Sequence, residues 1–205
     1  MAIAAYRATI SSGGTAVAMT NEAMTRAANG DFQVTNVNKR VLDLNGNFQV
    51  KVNGVAVNEA SYEIDYIAGK VIGLTTSSAV TITGAYVPIG ELIGCNSFSV
   101  DISGDILENT GINEAQLNGG FRTKQYGLTD VAVSLGRFAD ASKTMQTRLQ
   151  SGNKVFLKIN PSDTERILGW FLIESVSQSG DVGSLEIQDI QLQLSGDIRF
   201  SFSWP

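Results

Sequence analysis

With 205 residues, 15 Lys plus Arg against 20 Asp plus Glu and no His, the chain carries a formal charge of −5, which argues against a basic face built to grip phosphates. The missing histidine removes Ser-His-Asp and Cys-His nucleophilic sites and the commonest zinc ligand together, while a single cysteine, Cys95, rules out an intrachain disulfide framework. The length suits one large β domain, or a domain with an elaborate insertion, better than two independent ones; 21 Gly and only 17% charged residues give a turn-rich β composition whose Ser, Thr, Asn and Gln surface suits neutral, hydrogen-bonded contacts between copies.

Met1 to Ala8 has neither the basic nor the apolar segment of a secretory signal, and no apolar run is long enough to span a bilayer. The product is therefore expected to be soluble and intracellular when made, with no membrane partner. Ala2 to Ser11 reads as an opening strand or arm carrying Ile3, Tyr6 and Ile10, stopped by Ser11-Ser-Gly-Gly14. Beyond Gly14 the residues fit either a short helical turn, with Thr20 as cap and Glu22 in its first turn, or a plain loop through Ala28-Asn-Gly30.

From Asp31 to Val87 the pattern is hairpin after hairpin, an accessory β unit set into a main body. Phe48, Val50 and Val52 alternate with Gln49 and Lys51, and Asn53-Gly54 supplies a strong two-residue hairpin turn before Val55 and Val57. Tyr62, Ile64 and Tyr66 alternate with Glu63 and Asp65, then Ala68-Gly69 turns the chain into Lys70-Val-Ile72. Val80, Ile82 and Tyr86 share one face of a further strand, which Pro88-Ile-Gly90 ends.

The stretch from Ser97 to Phe138 places two alternating strands around a long polar connection. Phe98, Val100 and Ile102 alternate with Ser99, Asp101 and Ser103; Val131, Val133 and Leu135 repeat the pattern. Between them Leu107 to Gly127, about twenty residues rich in Asn, Gly and Thr, is longer than compact domains usually leave unstructured. With no His or Cys, it reads as an arm reaching for another subunit. Asp140 can cap a helix over about 140–151, with Ala141, Met145 and Leu149 on one face and Gly152 ending it. Lys154 to Ile159 is a strand closed by Asn160-Pro161, and Ile167 to Ser177 is apolar enough for burial on both faces. Leu185 and Ile187 lie in one phase but Ile190, Leu192 and Leu194 in the other, which a β-bulge near Gln188 and Asp189 would reconcile. Ile198, Phe200, Phe202 and Trp204 form a terminal amphipathic strand or arm.

No phosphate cradle of the Gly-x-x-x-x-Gly-Lys or Gly-x-Gly-x-x-Gly kind is present. Asp43-Leu-Asn-Gly-Asn47 imitates the start of a calcium loop, but Phe48 and Gly54 stand where that loop needs Gly and Glu, so an Asn-rich turn is the reading. Carboxylate pairs such as Glu63 with Asp65, or Asp101 with Asp105, are what a glycosidase needs in number, yet Glu63 and Asp65 fall on the polar face of an alternating strand. Cys95 is expected as a small buried apolar residue and Trp170 as core. No catalytic, cofactor or metal residue is assigned.

The run Phe98-Ser-Val-Asp-Ile-Ser-Gly-Asp-Ile-Leu-Glu-Asn-Thr110, with Gly120-Phe-Arg122 and Gly127-Leu-Thr-Asp-Val-Ala-Val-Ser-Leu135, resembles the major tail (tail tube) proteins of long-tailed, siphovirus-like bacteriophages. The resemblance implies a mainly β fold, a β-sandwich or barrel of the tail-tube type with one flanking α-helix. Residues 1–30 and 88–205 would form it, with 31–87 as the inserted hairpin unit. It also implies a non-enzymatic virion protein, assembled in the host cytoplasm into six-fold rings that stack into the conduit for DNA ejection. Partners would be further copies of itself and the tape measure, terminator and baseplate proteins, with DNA only a passenger. In that setting Asn109, Thr110, Ile112, Leu117, Phe121, Arg122 and Lys124 are the expected inter-ring contacts. Phe200, Phe202 and Trp204 are the expected terminal-strand contacts, and Asp101, Asp105, Glu174, Glu186 and Asp189 the expected lumen-facing acids. A glycan- or receptor-binding β-sandwich, as in an adhesin or tail fibre, is the alternative; an acid-pair hydrolase is the third reading.

Overall fold

The computed structural model describes residues 8–92, 94–108, 124–138, 144–162, 165–180 and 186–201. The protein is mainly β. Its strands are β1 Thr9–Gly13, β2 Val17–Arg26, β3 Phe32–Val34, β4 Gln49–Val52, β5 Val55–Ala56, β6 Glu63–Asp65, β7 Lys70–Ile72, β8 Val80–Tyr86, β9 Ile89–Glu91, β10 Cys95–Glu108, β11 Lys124–Phe138, β12 Val155–Asn160, β13 Arg166–Ser179 and β14 Ile187–Ser201, with a helix α1 at Thr144–Ser151. They form two seven-stranded sheets, ordered β10-β11-β14-β13-β12-β1-β9 and β5-β4-β8-β2-β3-β7-β6. By contacts the chain divides into two compact units, Met1–Leu92 with Val155–Trp170 and Asp197–Pro205, and Ile93–Lys154 with Phe171–Gly196. Residues 31–87 thus fall in the same unit as residues 1–30.

In the first unit, the Asn53-Gly54 turn forms as its residue types require. Both residues have positive φ, 49° and 80°, and Val52 faces Val55 across the hairpin. The second turn brings Lys70 opposite Asp65. Its Gly69 has φ 61° and leaves no room for a side chain, because a Cβ there would lie 2.5 Å from the Arg40 carbonyl oxygen. These hairpins close around Met19, Met24, Phe32, Val34, Leu42, Phe48, Val50, Val71, Val80 and Ile82, all buried. Phe48 lies against the backbone of Gly84, where a Cβ would come within 2.3 Å of its ring. A second cluster joins Val41, Ile67, Val87, Phe156 and Trp170. The Phe156 and Trp170 rings meet edge to face at 5.4 Å, so Trp170 is core.

Where the sequence fits a helical turn or a loop after Gly14, the chain forms β2, between β8 and β3. The alternation is hidden because Met19 and Met24, the two buried residues of this strand, are separated by an odd number of positions. A register shift between Met19 and Glu22, with Asn21 at φ 48°, restores them to one face. Glu22 is not a helix-cap acid but an ion-pair partner, 2.5 Å from Lys39 Nζ. Residues Ile89–Glu91, expected only to end a strand, pair with β1.

In the second unit the pairing of β11 with β14 runs unbroken from Phe138 and Ile187 to Ala132 and Gln193. The bulge expected near Gln188 and Asp189 is absent from this register. The phase change has another cause: Ile187 stands on the exposed face opposite Phe138, and the buried-phase position 188 is a glutamine, 1% exposed and paired in register with the buried Arg137. Helix α1 holds Met145 buried and ends at Gly152, whose φ is 64° and whose N–H donates to the Leu149 carbonyl. The expected cap Asp140 lies outside the described residues.

Candidate functional site

The hairpin of β10 and β11 is longer than its alternation predicts. Pairing continues through Ile106 with Tyr126, Leu107 with Gln125 and Glu108 with Lys124, so both ends of the expected loop are strand, and Lys124 belongs to β11. The remaining expected inter-ring residues, Asn109, Thr110, Ile112, Leu117, Phe121 and Arg122, lie outside the described residues. Polar and apolar residues do not alternate at 107–108 and 124–127, which gives those positions the look of a loop, whereas backbone pairing to an adjacent strand needs no alternation.

Cross-strand partners share a sheet face, so the register sorts this ribbon into two. One face carries Ser97, Ser99, Asp101 and Ser103 of β10, then Asp130, Ala132, Ser134 and Gly136 of β11, then Asp189, Gln191 and Gln193 of β14. These residues include three carboxylates and no Lys or Arg. Ser134 Oγ and Gln191 Oε1 lie 2.5 Å apart across it, and Asp130 accepts a hydrogen bond from the Val131 N–H at 2.8 Å. At one end of this face stand Phe138 and Ile187, opposite each other and both exposed. The other face carries Phe98, Val100 and Ile102 against Val131, Val133 and Leu135, continued by Ile190 and Leu192. Its cover is incomplete: Val131, Val133 and Leu135 are buried, but Ile102 is 57% exposed.

Of the five expected lumen acids, the register brings Asp101 and Asp189 to the polar face. Asp105 sits, exposed, in the irregularity between Gly104 and Ile106. Glu174 is exposed on β13, and Glu186, just before β14, is held by the Gln178 side-chain amide at 2.5 Å. Asp130, Gln191 and Gln193 share that polar face with Asp101 and Asp189; the signal for them is the register between β10, β11 and β14, which no single strand contains. Phe200 is in β14, while Phe202 and Trp204 lie outside the described residues.

Two further expectations need correction. Cys95 is half-buried, not fully so; its Sγ lies 3.4 Å from the Gly136 carbonyl oxygen, and burial pushes its thiol pKa up, with the Arg137 charge opposing. Asp65 is not on a solvated face. Its carboxylate accepts from the backbone N–H groups of Ile67 and Ala68, each at 3.1 Å, and pairs with Arg199 of β14, the Asp65 side chain being only 9% exposed. Asp43 does form the expected Asn-rich turn, accepting from the Asn45 N–H at 3.2 Å.

Along the sheet order, β10 is the terminal strand, with β11 as its one neighbour among the described residues. An edge of 14 residues bounded by a polar face and a partly uncovered apolar face can accept another strand by backbone hydrogen bonding.

No protein-family model matches the chain, and no curated protein does. Among solved structures, the chain is similar to one from the tail of an empty gene transfer agent (GTA) particle, determined by helical refinement with C6 symmetry, at 15% identity and a TM-score of 0.48 over 56% of this chain and 87% of that one. A chain from the virion of a native GTA particle matches at 18% identity and a TM-score of 0.47, over 55% of this chain and 88% of that one.

Proposed function

We propose that the protein is a structural, non-enzymatic virion protein, a tail tube subunit whose copies join side by side into rings that stack into a conduit for DNA. The observation that carries this reading is the 14-residue strand β10, which has one free edge among the described residues. A long edge is a liability for a lone protein and a docking site for a self-assembling one. Ile102 beside that edge, and Leu128 on the paired strand, supply apolar surface for a second copy to cover.

The two faces then take different tasks. A wall past which DNA slides works best without cations, because each Lys or Arg on a phosphate adds its own counterion-release term to binding and becomes a trap. The face of Ser97, Ser99, Asp101, Ser103, Asp130, Ser134, Asp189, Gln191 and Gln193 meets that requirement and fits a lumen lining. Repulsion from its carboxylates reaches about 8 Å at physiological salt, enough to keep a polyanion off the wall. The residues from Asn109 to Lys124, with Phe200, Phe202 and Trp204, are in this proposal the contacts between successive rings or subunits. Rings of six, tape measure, terminator and baseplate partners, residence in the virion tail and assembly in a host cytoplasm complete it, as does 31–87 as an insertion in the tube body.

Electron microscopy of the purified protein tests the reading. Rings or tubes are the expected result, and deletion of 111–120 should leave a folded protein that makes no tubes. Dispersed monomers at all concentrations would overturn it in favour of a glycan- or receptor-binding module.

A further inference from the structure

The first unit holds a cleft of about 540 Å³ whose walls include Asn47, Phe48, Glu59, Tyr62, Glu63 and Tyr66, a size suited to a small molecule. Its aromatic side is built: Phe48 is 7% exposed and meets Tyr66 edge to face at 5.8 Å, while Tyr62 and Tyr66 are half-buried. Its acidic side is set by local structure. Glu59 opens a short 3₁₀ turn, Glu59–Ser61, fixed by the Asn58 side chain accepting from the Ala60 N–H, and Glu63 begins β6.

Among the described residues, the carboxylates of this cleft have no cationic partner. Asp65, the third nearby carboxylate, is engaged by Arg199 and two backbone N–H groups, but Glu59 and Glu63 are exposed and have no ion pair among the described residues, and no wall residue is basic. Burial raises the Tyr62 phenol pKa, a backbone contact at Val50 opposes the shift and the Glu59 carboxylate adds to it. Aromatic rings and two exposed carboxylates around one small volume together fit a positive charge on an organic group: ring quadrupoles attract a cation, and the carboxylates accept its N–H bonds. A neutral sugar would use the same rings but gain nothing from two full negative charges.

We propose that the cleft between Phe48, Tyr62 and Tyr66 on one side and Glu59 and Glu63 on the other binds a small organic cation through an alkylammonium or guanidinium group. This site is independent of the tube reading, because none of its residues belongs to β10, β11 or β14.

Isothermal titration of the full chain with agmatine, beside a matched titration with methyl glucoside, is the test. The expected result is saturable agmatine binding that weakens at high salt and falls by about tenfold or more in the Glu59→Gln/Glu63→Gln double variant. Both substitutions are at exposed positions, so the variant should keep the wild-type melting curve. Absence of saturable agmatine binding would overturn the proposal; so would agmatine affinity within about twofold of wild type in the folded double variant, or methyl glucoside binding as tightly as agmatine.

Discussion

The β5-β4-β8-β2-β3-β7-β6 sheet and the β10–β11 ribbon are made of similar residues and end differently. In the sheet, short strands and tight turns fold the apolar residues onto a common core, and ten of them are buried in one cluster. In the ribbon, the long strands carry their alternation out to Ile102, 57% exposed, beside Val131, 1% exposed. The first region ends in short edge strands of two and three residues, β5 and β6, whereas the second ends in one of 14, β10. Strand length decides between them, because a hairpin that runs past its own cover must be covered by a partner or stay wet.

The contrast breaks most completely at Gly69. A Cβ there would meet backbone atoms of Arg40 at 2.5–3.0 Å while φ stays at 61°, so Gly69→Ala combines left-handed strain with a clash no side-chain rotation can relieve. It should cost roughly 2–4 kcal/mol, measured by denaturant unfolding. An unchanged midpoint would mean that this turn does not close the sheet rigidly. Ile102→Lys should act the other way round, shifting the stability of the free subunit by no more than about 0.5 kcal/mol while abolishing tubes under the electron microscope. Tubes of normal length from that variant would remove Ile102 from any interface.

A smaller effect separates two contributions within the first unit. Asp65→Ala removes the acceptor for the Ile67 and Ala68 N–H groups as well as the partner of Arg199, and should cost about 1–2 kcal/mol, as loss of a capping side chain does. Arg199→Ala should cost less, under about 1 kcal/mol, because the Arg199 side chain is 46% exposed and its pairing is screened. Equal costs in thermal unfolding would show that the ion pair, and not the turn, is what Asp65 contributes.

The sequence makes legible those parts of the fold whose cause is local. Asn53-Gly54 specifies a turn by backbone preference, Val131 to Leu135 specify a strand by alternation, and Gly152 ends a helix by its φ. Strand β2 is illegible because one bulge at Thr20-Asn21 puts Met19 and Met24 out of phase. Ile89–Glu91 is illegible because its pairing to β1 is decided by a distant strand. At the candidate interface Asp101 can be read as a polar-face acid, but Asp130, Gln191 and Gln193 cannot be joined to it, since a shared face across three strands exists only once the register is set. Asp65 looks like a solvated acid for the same reason: the alternating pattern cannot register that Arg199 arrives from the far end of the chain.

The smallest expected effect reports on the root of the ribbon. Cys95 opens β10, paired in register with Arg137 ahead of the irregularity before Ser97. Burial raises its thiol pKa, and the Arg137 charge opposes that without cancelling it. The thiolate is the reactive form, so alkylation by iodoacetamide near pH 8 should be slower than for a cysteine in an unfolded peptide, and its rate should keep rising to higher pH. The same shift bears on stability: a thiol that holds its proton more tightly when folded contributes stability that is fully present below the unfolded pKa and lost as pH rises through the folded one. Denaturing the protein should restore the ordinary alkylation profile. If β10 and β11 stay paired at their root while the outer ribbon is covered by another copy, assembly into tubes should leave the Cys95 profile unchanged even as Ile102 becomes protected. A Cys95 rate in the free subunit equal to that of the unfolded chain would show that the ribbon opens from its root, and the contrast between a closed base and an uncovered tip would fail.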